Sequence, residues 1–188
     1  LVTVIEQLAV ERAHVVGTSI GGMAAMWAAA HRPEWIDRLV LIGTSPHLGP
    51  SETWVERART VLAEGTASVA EQVTARWVTP GYAAAEPSVL AELRAMFARA
   101  DPAGYAACCL AVAGMDLRED LARISAPTLV LVGADDPATP LEHAEAIVAA
   151  VRDARLERIP RAAHLPSVER PEAVARLAMD HFDRATGR

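Results

Sequence analysis

Lysine and asparagine are both missing from this 188-residue chain, so all eighteen of its basic residues are arginine. Beside an abundance of alanine, that absence looks like codon bias and excludes no function. The shortage of positive charge excludes more. Twenty-four Asp and Glu leave a formal charge of −6, which argues against nucleic acid or an anionic membrane as the main partner. Only two cysteines occur, and they are neighbours, Cys108 and Cys109. Adjacent cysteines cannot staple a fold, so a reducing, cytoplasmic setting is expected. No apolar run approaches the length of about eighteen residues that a membrane span needs, and no basic-then-apolar leader opens the chain. The six histidines show neither H-x-x-x-H nor H-E-x-x-H spacing, so no metal site is expected. Phosphate-cradling and dinucleotide-binding glycine patterns are missing as well. What is present is apolar: 52% hydrophobic against 22% charged residues is the composition of one well-cored domain, not of a disordered chain.

The apolar residues change period along the chain. Val4, Ile5, Leu8 and Ala9 fall at helical spacing, and His14-Val-Val-Gly17 then reads as a short strand of the kind buried in a parallel sheet. Met23 to Ala30 is apolar on every face and predicts a helix buried nearly all round, stopped by Pro33. Leu39-Val-Leu-Ile42 is a second buried strand, which completes a parallel crossover unit. From residue 50 to residue 124 the strands vanish. Stripes at Trp54–Leu62, Val69–Trp77 and Val89–Phe97 predict three helices, ended in turn by Gly65, by a Thr79-Pro80-Gly81 turn and before Asp101. Asp101-Pro102 opens a fourth that Gly114 closes, and Asp116-Leu-Arg-Glu119 resembles a capping box. The sheet resumes with Thr128–Val132, a helix capped by Thr139-Pro140 and running to Val151, a half-exposed strand Ala154–Ile159, and a closing helix on Val174, Leu177, Ala178, His181 and Phe182. The expected architecture is α/β: a parallel sheet of about four strands in segments 1–49 and 125–188, with a helical insertion over 50–124.

Gly17-Thr-Ser19-Ile-Gly21 matches G-x-S-x-G and sits between a strand and a helix, where that pattern has a mechanism. A tight turn there lifts the Ser19 hydroxyl above the sheet, and glycines two residues to either side relieve the clash of strand with helix. The backbone N–H of Ile20 would face a developing oxyanion at the positive end of the helix. The plain alternative is a glycine-rich turn that only packs a helix on a sheet. A serine nucleophile needs a base, and the base needs an acid to hold its tautomer. Asp136 ends the third strand and His164 follows the fourth, so acid and base fall in the order Ser, Asp, His. Asp135, one residue earlier, is the competing acid. His47 follows the second strand and could approach the site without fitting that order. His14, His31, His143 and His181 read as packing or surface residues, and Cys108 as core packing in an apolar helix.

With those residues in place, the chain resembles the α/β-hydrolase superfamily over its whole length, and more narrowly the 3-oxoadipate enol-lactonases. The resemblance is carried by His14–Gly22, Arg76-Trp-Val-Thr-Pro80, Gly104-Tyr-Ala-Ala-Cys-Cys109 followed by Asp116-Leu-Arg118, Pro127–Pro140 and Ala163–Glu169. The resemblance implies Ser19 as nucleophile, Asp136 as acid, His164 as base, a helical cap over 50–124, and a cofactor-free hydrolysis of 3-oxoadipate enol-lactone to 3-oxoadipate in the bacterial breakdown of aromatic compounds. Its substrate carries a carboxylate, for which Arg76 beside Trp77 is the candidate partner.

The departure from the family is at the front. Such hydrolases run to about 250 residues on about eight strands, so this chain is expected to be the C-terminal half of the fold. The second oxyanion donor would then lie outside it. The strand at His14–Gly17 would present an open edge, to be covered by a preceding segment or by a second copy. Other activities on the same scaffold (a carboxylesterase, a carbon–carbon bond hydrolase, a cofactor-free haloperoxidase) and a non-catalytic remnant remain open.

Overall fold

Four apolar segments pair side by side and in parallel, in the order β1-β2-β3-β4. The structure, a computed structural model, describes residues 2–8 and 10–183. The strands are β1 (Ala13–Thr18), β2 (Ile36–Ile42), β3 (Thr128–Gly133) and β4 (Ala154–Ile159). In register, Val15 lies beside Leu39, Val40 beside Leu129, and Val130 beside Leu156. Parallel neighbours need crossovers that cover the sheet faces. Helix α1 (Val2–Leu8) precedes the sheet and buries Ile5, and α2 (Ile20–His31) joins β1 to β2. Ala9 and the side chain of Leu8, read as part of the first helical stripe, lie outside the described residues.

Two compact units emerge: residues up to Pro46 together with those from Leu117 onward, and His47–Asp116. The sheet unit is held by a cluster of Val40, Ile42, Leu129, Leu131, Ile159, Ala162 and Val174, against which Leu177, Ala178 and Phe182 pack. Each such aliphatic side chain, fully buried, contributes about 1.5–3 kcal/mol, so this cluster fixes which strands stand at the centre. Burial of α2 is less complete than its composition suggests. Met23, Ala25, Met26, Ala28, Ala29 and Ala30 are buried, but Ala24 is exposed and Trp27 is 43% exposed, which leaves one apolar face open.

In the helical unit the order is α3 (Ser51–Glu64), α4 (Ala70–Thr74), α5 (Pro80–Ala85), α6 (Pro87–Ala98) and α7 (Pro102–Gly114). Its core is Val61, Val69, Ala70, Val73 and Phe97, with Trp77 and Tyr105 packed alongside. Asp101 caps α7 through a 2.7 Å bond from the Gly104 N–H. Three expectations are corrected here. Thr79-Pro80 does not close a helix but opens one, because the Thr79 hydroxyl accepts from the Tyr82 N–H and Pro80 takes the first helical position. Asp116 starts no helix; it pairs with His47 in an antiparallel bridge. Cys109 is buried while Cys108 is exposed, so only the second is core packing. Residues 117–124 group with the sheet unit, and Leu121 is buried there. That unit closes with α8 (Leu141–Ala150) between β3 and β4, then α9 (Pro166–Glu169) and α10 (Pro171–Asp183).

Candidate active site

Ser19 stands between β1 and α2 with φ 53° and ψ −121°, a left-handed conformation that a non-glycine residue rarely adopts. Several bonds hold it there. Its N–H donates to Ile42 O at 2.9 Å, and its carbonyl accepts from Gly22 N at 2.8 Å, Met23 N at 3.1 Å and Thr44 Oγ1 at 2.7 Å. The space argument for the flanking glycines holds for one and moves for the other. A side chain at Gly17 would strike the Gly21 carbonyl and come within 2.7 Å of Gly22 Cα, whereas one at Gly21 would meet nothing within 4 Å. The second crowded position is Gly22, where a Cβ would press on the Thr44 side chain at 2.7 Å. Ile20 is the first residue of α2, so its N–H is among those an α-helix leaves without a partner in its own ladder.

Asp136 ends the turn after β3 and is buried. Its Oδ1 accepts from Ala138 N at 2.7 Å and Thr139 N at 3.1 Å, and its Oδ2 from Thr139 Oγ1 at 2.7 Å. Thr139, expected to cap α8, thus serves the carboxylate instead, and Pro140 occupies the cap position without a side-chain bond. Burial by itself raises the Asp136 pKa. The hydrogen bond and charge of His164 and the bonds from Thr139 outweigh it and hold the carboxyl below its ordinary value. Asp135 is exposed, which leaves Asp136 as the acid.

His164, in the loop after β4, closes the chain of bonds. Its Nδ1 lies 3.0 Å from Asp136 Oδ2 and its Nε2 3.0 Å from Ser19 Oγ. An ionised carboxylate only accepts, so Nδ1 carries the proton and donates to Asp136, which leaves Nε2 free to accept from the Ser19 hydroxyl. That arrangement can draw a proton from Ser19 as its oxygen attacks an electrophilic carbonyl. Ser19, Asp136 and His164, far apart along the chain, are brought together.

The remaining histidines are otherwise engaged. His14 lies 3.2 Å from Asp37 and stacks on Phe182, His31 bonds Trp27 O, and His181 bonds Pro127 O. His47 belongs to the helical unit, where it meets Met115 O at 3.2 Å. Arg76 and Trp77 also lie in that unit, both half-buried, with Trp77 edge-on to Phe97 at 5.7 Å. Among the described residues, no group of three His, Cys, Asp or Glu is placed to hold a metal ion, and no helix is long and apolar enough to cross a membrane.

Sequence reasoning missed two supports. Gly43, at φ +49°, packs so closely on the base that a Cβ there would lie 2.7 Å from His164 O and 3.3 Å from its Nδ1. Glu169 is buried and accepts from the Ala163 N–H at 2.5 Å, which ties down the loop beside the imidazole. The glycine closing an apolar strand was a visible signal for the first. For Glu169, between Val168 and Arg170 at the end of α9, the sequence carried no such signal.

Comparison with known proteins agrees with this fold. A solved hydrolase from Pseudomonas aeruginosa PA01 superposes with a TM-score of 0.92 at 38% identity, covering 97% of this chain and 69% of that one. The enol-lactonase from Burkholderia xenovorans LB400 gives a TM-score of 0.94 at 32% identity, covering 97% and 70%. Among curated proteins, 3-oxoadipate enol-lactonase 2 of Acinetobacter baylyi is 32% identical over 173 residues, 92% of this chain. This chain spans 64% of the length of that relative. A family model for the alpha/beta hydrolase family matches residues 1–177. With a parallel sheet that carries a serine turn, an aspartate turn and a histidine loop in that order, the chain belongs to the α/β-hydrolase family.

Proposed function

We propose that this chain carries the nucleophile, base and acid of a serine-type lactone hydrolase whose substrate is 3-oxoadipate enol-lactone. The observation that supports this reading most is the unbroken run of bonds from Ser19 Oγ through His164 to Asp136 Oδ2, each 3.0 Å long. A lactone is an internal ester. Ser19 Oγ attacks its carbonyl carbon while His164 Nε2 takes the hydroxyl proton, and the imidazolium is held by Asp136. The negative charge on the carbonyl oxygen meets the Ile20 N–H. As the carbon–oxygen bond of the ring breaks, His164 returns the proton to the departing enol oxygen, and an acyl-enzyme remains. Water, deprotonated by His164, then attacks the acyl carbon, and as the ester bond breaks His164 returns that proton to Ser19 Oγ and the acid released ionises to a new carboxylate. The enol set free tautomerises to 3-oxoadipate, an intermediate in the breakdown of aromatic compounds, handled in the cytoplasm without a cofactor.

Two requirements of that chemistry are assigned beyond these three residues. Arg76, beside Trp77, is proposed to hold the carboxylate that the lactone already carries. A second oxyanion donor is proposed to come from residues preceding the first one here. The same segment, or a second copy of the chain, would cover the edge of β1 that no described strand pairs with, and the similarity to longer relatives supports this.

Substrate profiling tests the reading. The enol-lactone is expected to be turned over with a kcat/KM well above that of a neutral nitrophenyl ester, and a fluorophosphonate is expected to label Ser19. Preference for the simple ester would move the assignment to an esterase, and a folded protein that takes no label would be a non-catalytic relative. Arg76→Gln should lower kcat/KM for the lactone about ten- to a hundred-fold, as expected for loss of a charge-assisted bond of about 1.5–3 kcal/mol, and leave the neutral ester untouched. Equal losses on both substrates would remove Arg76 from that role.

A further inference from the structure

Outside the serine, histidine and aspartate, the sheet unit holds a second serine–histidine contact. Ser45 Oγ lies 2.7 Å from His143 Nδ1. Ser45 is wholly buried, so no substrate reaches its hydroxyl and it is not a second nucleophile. Its importance comes from what its neighbours touch. Gly43 packs against His164 and sits so that a Cβ would lie 3.5 Å from Asp136 Oδ2, and Thr44 Oγ1 donates to the carbonyl of Ser19. His143, three residues beyond the Pro140 cap position, stands in the first turn of α8 at the end of the turn that presents Asp136. The three consecutive residues Gly43, Thr44 and Ser45 therefore meet the base and acid, the nucleophile turn and α8 in that order.

We infer that Ser45 and His143 are a positioning pair, which locks the aspartate turn and the serine turn in one relative placement. The inference rests on the reading of Ser19 as nucleophile. A buried hydroxyl is costly to leave unsatisfied, and the Ser45–His143 bond ties the segment that carries Thr44 to the first turn of α8. Without the bond, Ser19 Oγ and His164 Nε2 drift relative to each other, and a misplacement of about 1 Å suffices for a large loss of rate.

The test is the rate of Ser19 labelling by a fluorophosphonate, measured beside thermal unfolding. Ser45→Ala and His143→Leu should each slow labelling about ten- to a hundred-fold, with kcat falling and KM held, while unfolding shifts by only a few degrees. His143→Asn, whose side-chain amide can reach the place of Nδ1, should recover most of the rate, which a merely structural role would not require. The double variant Ser45→Ala/His143→Leu should be no slower than either single one, because both break the same bond. Should Ser45→Ala fail to fold, the Asn and Leu variants at half-buried His143 decide the matter. Labelling at the parent rate in the single variants, equal rates for Asn and Leu, or losses that multiply in the double variant would overturn the positioning role. A parent protein that takes no label at all would defeat the reading of Ser19, and this role with it.

Discussion

β1 and β3 each end in a turn that delivers one member of the bonded set, yet they lie in opposite surroundings. All six residues of β3 are buried, and it is paired on both sides, to β2 and β4. β1 alternates, with His14 and Val16 exposed and Val15 and Gly17 buried, and among the described residues it is paired only to β2. Among the described residues, then, aspartate follows a strand paired on both sides and serine one paired on a single side. The contrast directs attention to the β2 side, where the nucleophile turn is anchored. Ser19 is placed by bonds to Ile42 and Thr44, both carried by or just after the well-buried β2.

The largest way to sharpen that contrast is to remove the reacting groups themselves. Ser19→Ala should abolish labelling and reduce hydrolysis by about a million-fold, the scale seen when a serine nucleophile is lost. Asp136→Asn should reduce it by about ten-thousand-fold, because the amide supports the wrong imidazole tautomer while the nucleophile stays in place. Both are read from kcat with any ester the protein accepts. If Asp136→Asn were without effect, the central strand would merely scaffold the fold, and the comparison would collapse.

Stability should separate the strands next. Leu131 in β3 is fully buried, so Leu131→Ala leaves a cavity and should lower unfolding stability by about 2–5 kcal/mol. Val16 in β1 is 52% exposed, so Val16→Ala should lower it by less than about 1 kcal/mol. Urea unfolding midpoints measure both. A large loss at Val16 would mean that β1 is covered in solution, by a preceding segment or by another copy.

How much of this was legible can be judged residue by residue. Strands were readable at Thr128–Val132 and Ala154–Ile159 because short apolar or alternating runs were punctuated by glycine and proline, and there the structure differs by at most one residue. β2 begins three residues before the apolar run, at Ile36, because Asp37 and Arg38 look like turn residues while Arg38 is in fact buried. The bonded trio was legible because strand, turn and order along the chain all constrain it. Its supports were not. A threonine hydroxyl can cap a helix or serve a carboxylate equally well, so only coordinates decide between Thr139 as a cap and Thr139 as a donor to Asp136. Glu169 meets a backbone N–H six residues back across a short helix, a spacing with no periodic signal. Nor does the G-x-S-x-G pattern reveal that Gly22, outside it, is more crowded than Gly21, inside it.

The smallest expected effect asks what sets the ionisation of the acid at the end of the buried strand. Burial pushes the Asp136 pKa up, while His164 and Thr139 pull it down, and the net result lies below the ordinary value of 3.8. A carboxyl whose pKa is lowered by folding stabilises the folded state wherever the unfolded chain would also be ionised. That contribution should be fully present above about pH 4 and should fade as the pH falls through the lowered folded value. Asp136→Asn cannot titrate, so the difference in urea midpoint between parent and variant should be level at and above pH 5 and should shrink towards pH 2. Had burial won instead, the folded pKa would be raised, and the same difference would move in the parent's favour as acid was added. The slope of that difference between pH 5 and pH 2 therefore distinguishes a carboxylate held ionised by its donors from one that is merely enclosed behind a buried strand.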